Sequence, residues 1–293
     1  MREAGDDDLE VVVALRERID PLTATTADDQ RVFVAQSEAP LVLLAGDVAY
    51  GVVWRFPPER DASLDVGVVP TARRRGVGSA LYESLLEHAR SQRWESVLAP
   101  AVEDEGRAWL ERRGFEVVDR QERVVLELGC APDAGARDTV SQAPGHVAIT
   151  DFAARRDLAP EIVRLVAEGM QDVPGELARE EPPDLETWLR WQEAPSRRPE
   201  FVVIGLDRGD VVGWAQLNVY PRVGYHAFTV VARSHRGRGV ARALKTELIR
   251  RARARGLERL ITNSNVDNIP MRTLNAQLGY RPAPARLYLR RSL

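Results

Sequence analysis

A short signal written twice constrains this chain more than any other feature of its sequence. Arg73-Arg74-Arg75-Gly76-Val77-Gly78 and Arg236-Gly237-Arg238-Gly239-Val240-Ala241 share the pattern Arg-x-x-Gly-x-(Gly/Ala), and Gly76 lies 163 positions before Gly239. Each copy follows an apolar run of strand character and opens an amphipathic stretch. Val77, Leu81, Leu85 and Ala89 recur at steps of four after the first copy; Val240, Leu244, Leu248 and Ala252 do so at the same offset after the second. That spacing places each set on one face of a helix. Glycines, arginines and helix phase repeat together, so two copies of one domain are expected.

The chain has material for both. Its 293 residues are 44% hydrophobic and 29% charged, enough for two medium cores. Residues 130–144, flanked by Gly129 and Gly145, are rich in Gly, Pro, Ala, Asp and Ser without hydrophobic periodicity and read as a linker between domains at 1–129 and 145–293. A formal net charge of −3 argues against a general affinity for nucleic acid or an anionic membrane, so any anion site must be local. No apolar run approaches the ~18 residues of a membrane span, and Met1 to Leu9 is acidic with no apolar leader, which predicts a cytoplasmic protein. Cys130, the single cysteine, sits beside the Pro/Gly/Ala-rich segment with no histidine nearby in sequence and is a poor nucleophile candidate. The four histidines are scattered with no metal-ligand spacing, so no metal is expected.

In the first domain the pattern predicts helices over 7–18 and 26–36, strands over 41–45, 48–56 and 63–69, a helix from Gly76, a strand over 95–99, a helix over 104–113 and a closing pair of strands at 115–118 and 124–128. The second domain repeats this order: a strand at 146–150, helices near 158–170 and 185–193, strands at 201–206, 211–219 and 225–231, a helix over 239–253, a strand at 259–262, a helix over 269–278 and a last strand around 287–289. Met1 to Ala4 leaves little room for a matching first strand. Hairpins early, then strands alternating with helices, predict an α/β fold with a mixed sheet covered by helices.

A strand that ends in a glycine-rich turn and enters a helix presents backbone N–H groups at the positive end of the helix dipole, which suits a phosphate or diphosphate. Two familiar versions do not fit. A dinucleotide fold needs a third glycine where Leu81 and Arg242 stand, and neither copy has the Gly-Lys-(Ser/Thr) of a P-loop.

Val68-Val69-Pro70 with Arg73-x-x-Gly76-x-Gly78, and Val231-Ala232-Arg233 with Arg236-x-x-Gly239-x-Ala241, resemble motif A of the GNAT superfamily of acetyl-CoA-dependent N-acetyltransferases. Arg107-Ala108-Trp109 to Gly114-Phe115 and Asn268 to Gly279-Tyr280 are similar to its motif B. Nearly the whole chain then resembles two GNAT folds in tandem, an architecture similar to that of mycothiol synthase. The resemblance implies that the backbone of Val231, Ala232 and Arg233 pairs with pantetheine, that the amides across Arg236, Gly237, Arg238, Gly239, Val240 and Ala241 hold the diphosphate, and that Asn268 touches the cofactor arm. Asn268 also reads as a helix N-cap ahead of Pro270. The equivalent first-domain positions are Val68, Val69 and Pro70, then Arg73, Arg74, Arg75, Gly76, Val77 and Gly78.

Where the family often has a tyrosine that protonates the departing thiolate, this chain has Asn275, which donates a hydrogen bond but no titratable proton. Tyr225, Tyr280 and Tyr288 are alternatives. The first domain departs further, with Glu103 and Leu110 at the asparagine and tyrosine positions, so catalysis is expected in the second. Candidates to take a proton from the acceptor are Asp172 and Glu176, in the loop that lines the acceptor site in this family, and His226, provided that strand parity survives the bulge typical of the fold. Asn263 and Asn265 read as turn residues or as liners of the acetyl site. The expectation is transfer of acetyl from acetyl-CoA to a small-molecule primary amine by direct attack in a ternary complex, without a metal or an acyl-enzyme. The rival is an acyl-CoA sensor or scaffold without chemistry. The acidic residues Asp172, Glu176, Glu180, Glu181 and Asp184 are compatible with a cationic acceptor and equally with a plain surface loop. Oligomeric state is not legible.

Overall fold

A computed structural model describes residues 1–56, 60–102, 104–129, 146–175 and 182–293. The expected linker, Cys130, Glu103, Glu176, Glu180 and Glu181 lie outside the described residues. The elements in chain order are β1 (Arg2–Glu3), α1 (Leu9–Ile19), α2 (Ala27–Gln36), β2 (Glu38–Ala45), β3 (Ala49–Arg55), β4 (Ala62–Val68), α3 (Val77–Ser91), β5 (Ser96–Ala101), α4 (Asp104–Glu111) and β6 (Glu116–Glu127). They continue with β7 (Val147–Asp151), α5 (Ala159–Met170), α6 (Leu185–Trp191), β8 (Val202–Asp207), β9 (Asp210–Val219), β10 (Val223–Val231), α7 (Val240–Ala254), β11 (Arg259–Asn265), α8 (Ile269–Gln277) and β12 (Arg281–Ser292).

Local chemistry sets several boundaries. The Thr26 hydroxyl accepts from the amide of Asp29 at 3.1 Å and starts α2, and the Asp184 carboxylate does the same for Thr187 at 2.7 Å in α6. Pro160 and Pro270 occupy the first turns of α5 and α8, where a missing N–H costs no helical bond.

The chain forms two compact units: Met1–Arg120 with Pro284–Leu293, and Gln121–Ala283. The first has strand order β1-β2-β3-β4-β5-β12 and the second β6-β11-β10-β9-β8-β7, both mixed sheets. Each unit thus takes its closing strand from beyond the domain boundary drawn on composition. Val124, Leu126 and Leu128 are buried with Leu260 in the second unit's core, and Leu287 and Leu289 pair opposite Ala101 and Ala99 in the first. The expected closing pair at 115–118 and 124–128 is one strand, β6, because the polar run between them stays extended; Gln121 to Glu127 pair with β11.

The repeated helices bury the predicted stripe. Leu81, Leu85 and Ala89 of α3, and Val240, Leu244, Leu248 and Ala252 of α7, lie against the sheet, with about 1.5–3 kcal/mol from each large aliphatic side chain. Gly213 of β9 lets α7 close in: a Cβ there would stand 3.0 Å from Val240 Cγ1 and 3.1 Å from Leu244 Cδ1.

Candidate functional site

The two glycine-rich turns fold alike. A single 3-10 turn, Pro70–Ala72 or Arg233–His235, precedes an extended arginine, Arg73 or Arg236. Gly76 (φ +83°) and Gly239 (φ +87°) then cap their helices in the left-handed region. The residue after the arginine is left-handed in both copies, but it is Gly237 (φ +71°) in the second and Arg74 (φ +64°) in the first. Only the second copy takes this bend without strain on a Cβ.

A Cβ built on Gly76, Gly237 or Gly239 meets nothing within 4 Å, so no protein atom fills the space before these glycines. The first helical bonds run from Ala80 N to Gly76 O and from Ala243 N to Gly239 O, both 3.0 Å; earlier amides of each first turn have no acceptor within the helix. Open space ahead of outward donors at a helix N-terminus fits a diphosphate. Gly78 stays small for another reason: a Cβ would come within 3.2 Å of Val68 Cγ2.

Arg236 is built into the cradle. Its Nε donates to Val231 O at 2.9 Å, and its Nη2 lies 2.8 Å from Asp172. Arg233 meets the same carboxylate with Nε and Nη2, each at 2.8 Å. These bonds, with Arg233 first and Arg236 second, hold the Asp172 carboxyl well below the usual carboxylate range. Asp172 is therefore a weak proton acceptor, and its two ion pairs make it an anchor for the cradle's arginines. The backbone expected to pair with pantetheine is partly engaged too: Ala232 N donates to Val212 O at 2.9 Å and Arg233 N to Glu168 Oε1 at 2.8 Å. Arg238 is exposed. Arg73 repeats the tether to Val68 O at 3.3 Å.

In the second unit, β10 pairs in parallel with β11 only from Val223 to His226 against Arg259 to Thr262. Beyond that pair β10 stays with β9 and β11 stays with β6, so the sheet splays at His226. The ladder to β9 skips Ala227, between His226 and Phe228, which is the bulge that shifts strand parity. In the first unit β4 also leaves β5 after Ala62 and Ser63, but its ladder to β3 is regular from Ser63 to Val68.

His226 lies at the vertex of the splay and is buried. Its Nδ1 is 2.6 Å from Tyr280 Oη and 3.5 Å from Lys245 Nζ, while its Nε2 has no hydrogen-bond partner among the described residues. Burial, then the Lys245 charge, pushes the imidazole well below its ordinary value, so His226 is a weak base with little access to an acceptor. Burial alone pulls Lys245 down to about 7 and pushes the Tyr280 phenol up. The sequence reading missed Lys245; its signal was a charged residue four positions before buried Ile249, on the inward arc of α7.

The asparagines divide. Asn268 caps α8, accepting from Met271 N at 3.3 Å. Asn275 is buried, with Nδ2 3.4 Å from Ser264 Oγ and an Oδ1 without a hydrogen-bond partner among the described residues. Asn265 accepts from Asp267 N at 2.8 Å, as turn chemistry predicts, whereas Asn263 stands within β11 with Nδ2 3.3 Å from Tyr225 Oη. Tyr288 belongs to the first unit, opposite Pro100. Among the described residues no helix is long and apolar enough to cross a membrane.

Comparisons with known proteins agree with this geometry. Residues 165–280 match the acetyltransferase (GNAT) family and residues 28–117 match an acetyltransferase (GNAT) domain. No curated protein sequence matches. Among solved structures, the chain is similar to a tandem GNAT protein from the clavulanic acid biosynthesis pathway (18% identity, 99% of this chain and 97% of that one, TM-score 0.76). It is also similar to a GCN5-related N-acetyltransferase from Sphaerobacter thermophilus (17%, 99% and 94%, TM-score 0.71) and to one from Kribbella flavida (15%, 94% and 95%, TM-score 0.57). With motif A in both copies and a family match on each half, the chain belongs to the GNAT superfamily of acyl-CoA-dependent N-acyltransferases and carries two of its domains in tandem.

Proposed function

We propose that the second unit transfers acetyl from acetyl-CoA to the primary amine of a small molecule by direct attack in a ternary complex. The observation that carries this is the pairing, in one unit, of an unstrained glycine cradle with a splayed and bulged β10. The amides from Gly237 to Ala241 hold the diphosphate, the backbone from Val231 to Arg233, where the chain leaves β10 for the 3-10 turn, guides the arm, and Asn268 touches it. Acetyl-CoA, when bound, supplies the activated thioester. A backbone N–H of β10 between the bulge and Val231 polarises the carbonyl under attack; loss of a donor of this kind costs ~10²–10³ in rate in other enzymes. The departing sulfur leaves as a thiolate, because a thiol of pKa ~8.5 needs little acid help, and Asn275, buried against Ser264, keeps a structural role on α8. With Asp172 anchored and His226 buried, Glu176 or water takes the amine proton.

The first unit, with Arg74 strained in its turn and no bulge in β4, binds the donor weakly or only supports the chain. The competing reading, an acyl-CoA sensor, draws on the absence of a tyrosine at Asn275. Of the five acidic residues near the acceptor loop, Asp172 is ion-paired and Asp184 caps α6, so neither of these two gives a reason to prefer a cationic acceptor. The test is release of free thiol from acetyl-CoA across a broad amine panel. Turnover lost in Gly239→Trp and kept in Gly76→Trp supports the reading; binding of acetyl-CoA without turnover for any amine favours the sensor.

A further inference from the structure

Two histidines that the sequence separates by 89 positions, His146 and His235, meet one carboxylate, Asp207, in the second unit. The ligand-capable atoms of the three lie within 4.8 Å of one another. They come from three elements. His146 immediately precedes β7, and the antiparallel ladder that pairs Val147 with Asp207 brings it to the end of β8. His235 closes the 3-10 turn ahead of Arg236, its amide bonded to Ala232 O at 2.8 Å.

We propose that His146, Asp207 and His235 form a site for a divalent transition-metal ion of the zinc class. Nitrogen and oxygen ligands ~2.0–2.2 Å from such an ion stand about 3.0–3.4 Å from each other, depending on the angle between them. The His235 Nε2 to Asp207 Oδ2 separation is 3.0 Å, so one edge of that polyhedron is already formed. Ser234 Oγ lies 2.8 Å from His235 Nδ1 and fixes the ring, the kind of outer contact that orients a metal-binding imidazole. The other oxygen, Asp207 Oδ1, is buried without a hydrogen-bond partner among the described residues. A simple carboxylate–imidazole pair leaves that oxygen unsatisfied, whereas a cation or its bound water satisfies it. His146 is exposed, so its ring is free to close the remaining distance and leaves the outer coordination positions to solvent. Two imidazoles and one carboxylate favour zinc, cobalt or nickel over calcium or magnesium, which prefer oxygen alone. The site would tie β7 and β8 to the turn that leads into the cradle, and it does not depend on which acyl group or amine the enzyme uses.

The experiment uses the full chain, stripped with chelator and carrying Cys130→Ser so that the thiol does not compete. Cobalt chloride is titrated while visible absorption is followed, and zinc chloride is added to displace it, with calorimetry for stoichiometry. The expected result is one ion per chain, displacement of cobalt by zinc, and affinity lowered at least about tenfold in both His146→Ala and Asp207→Asn. His146→Ala changes an exposed side chain, so its metal-free melting temperature should match the parent and a lost signal is not a folding defect. No binding of either ion at millimolar concentration, or binding unchanged in His146→Ala, would leave only a hydrogen-bonded His–Asp pair and overturn the proposal.

Discussion

Arg236 holds the carbonyl of Val231, the last residue of β10, through an Nε bond of 2.9 Å. The contact closes a ring from strand to cradle and fixes the turn, and Asp172 holds the other end of the guanidinium. Lysine has one point charge and cannot make the same planar pair of contacts. Arg236→Lys is expected to weaken acetyl-CoA binding by roughly tenfold, about 1.4 kcal/mol by calorimetry, with little change in melting temperature because exposed ion pairs are worth at most ~1 kcal/mol. Tighter binding would mean instead that the Val231 carbonyl is needed by the ligand and that Arg236 competes for it.

The left-handed turn residues predict opposite effects in the two units. Gly237→Ala puts a Cβ at φ +71°, and a non-glycine residue there costs about 1–2 kcal/mol. Arg74→Gly relieves the same strain at φ +64°, offset in part by the entropy glycine adds to the unfolded chain. Thermal scans should show a fall of a few degrees for Gly237→Ala and no fall for Arg74→Gly, and only the former should lose turnover.

Asp172→Asn separates the two roles considered for this residue. A general base removed from the site lowers kcat by ~10²-fold or more and removes the acidic limb of the pH profile. An anchor removed from Arg233 and Arg236 loosens the cradle and raises KM for acetyl-CoA. Because both arginines keep the carboxyl ionised well below neutral pH, the second outcome is expected, with kcat changed by less than about tenfold and the shape of the profile kept.

The parts of this fold legible in the sequence are those set within one turn or one helix. The glycines mark the cradle, the i, i+4 leucines mark the faces of α3 and α7, and Asn268-Ile269-Pro270 marks the start of α8. Contacts across long sequence separations were not legible. Asp172 meets Arg233 across 61 positions and His226 meets Tyr280 across 54, and no periodicity encodes such pairings. The two closing strands went astray for a related reason. Composition marks a linker, but register and burial choose the ladder, so Gln121 to Glu127 pair with β11. Lys245 was hidden because a lysine among arginines on a helix reads as solvated, although its position falls on the buried arc.

Lys245 carries the clearest dependence of stability on pH. Its Nζ lies 5.5 Å from the centre of the Tyr280 ring and 3.5 Å from His226, and burial holds its pKa at about 7 against an ordinary 10.5. Between pH ~7 and ~10.4 the unfolded chain binds this proton and the folded chain does not, so unfolding free energy rises with pH through that window by up to ~1.4 kcal/mol per unit. Below pH ~7 both states hold the proton and the folded state bears the whole desolvation cost; above ~10.4 neither does. The depressed pKa of His226 acts below pH ~6.5, and the raised pKa of Tyr280 acts only above pH ~10, where it lowers stability, so neither obscures the window. Lys245→Met keeps the apolar stem and removes the charge. Denaturant curves should show the variant more stable at pH 6 by about 3–5 kcal/mol, the gap closing as pH approaches 10. An equal gap at both ends would mean that packing, not the proton, sets the difference.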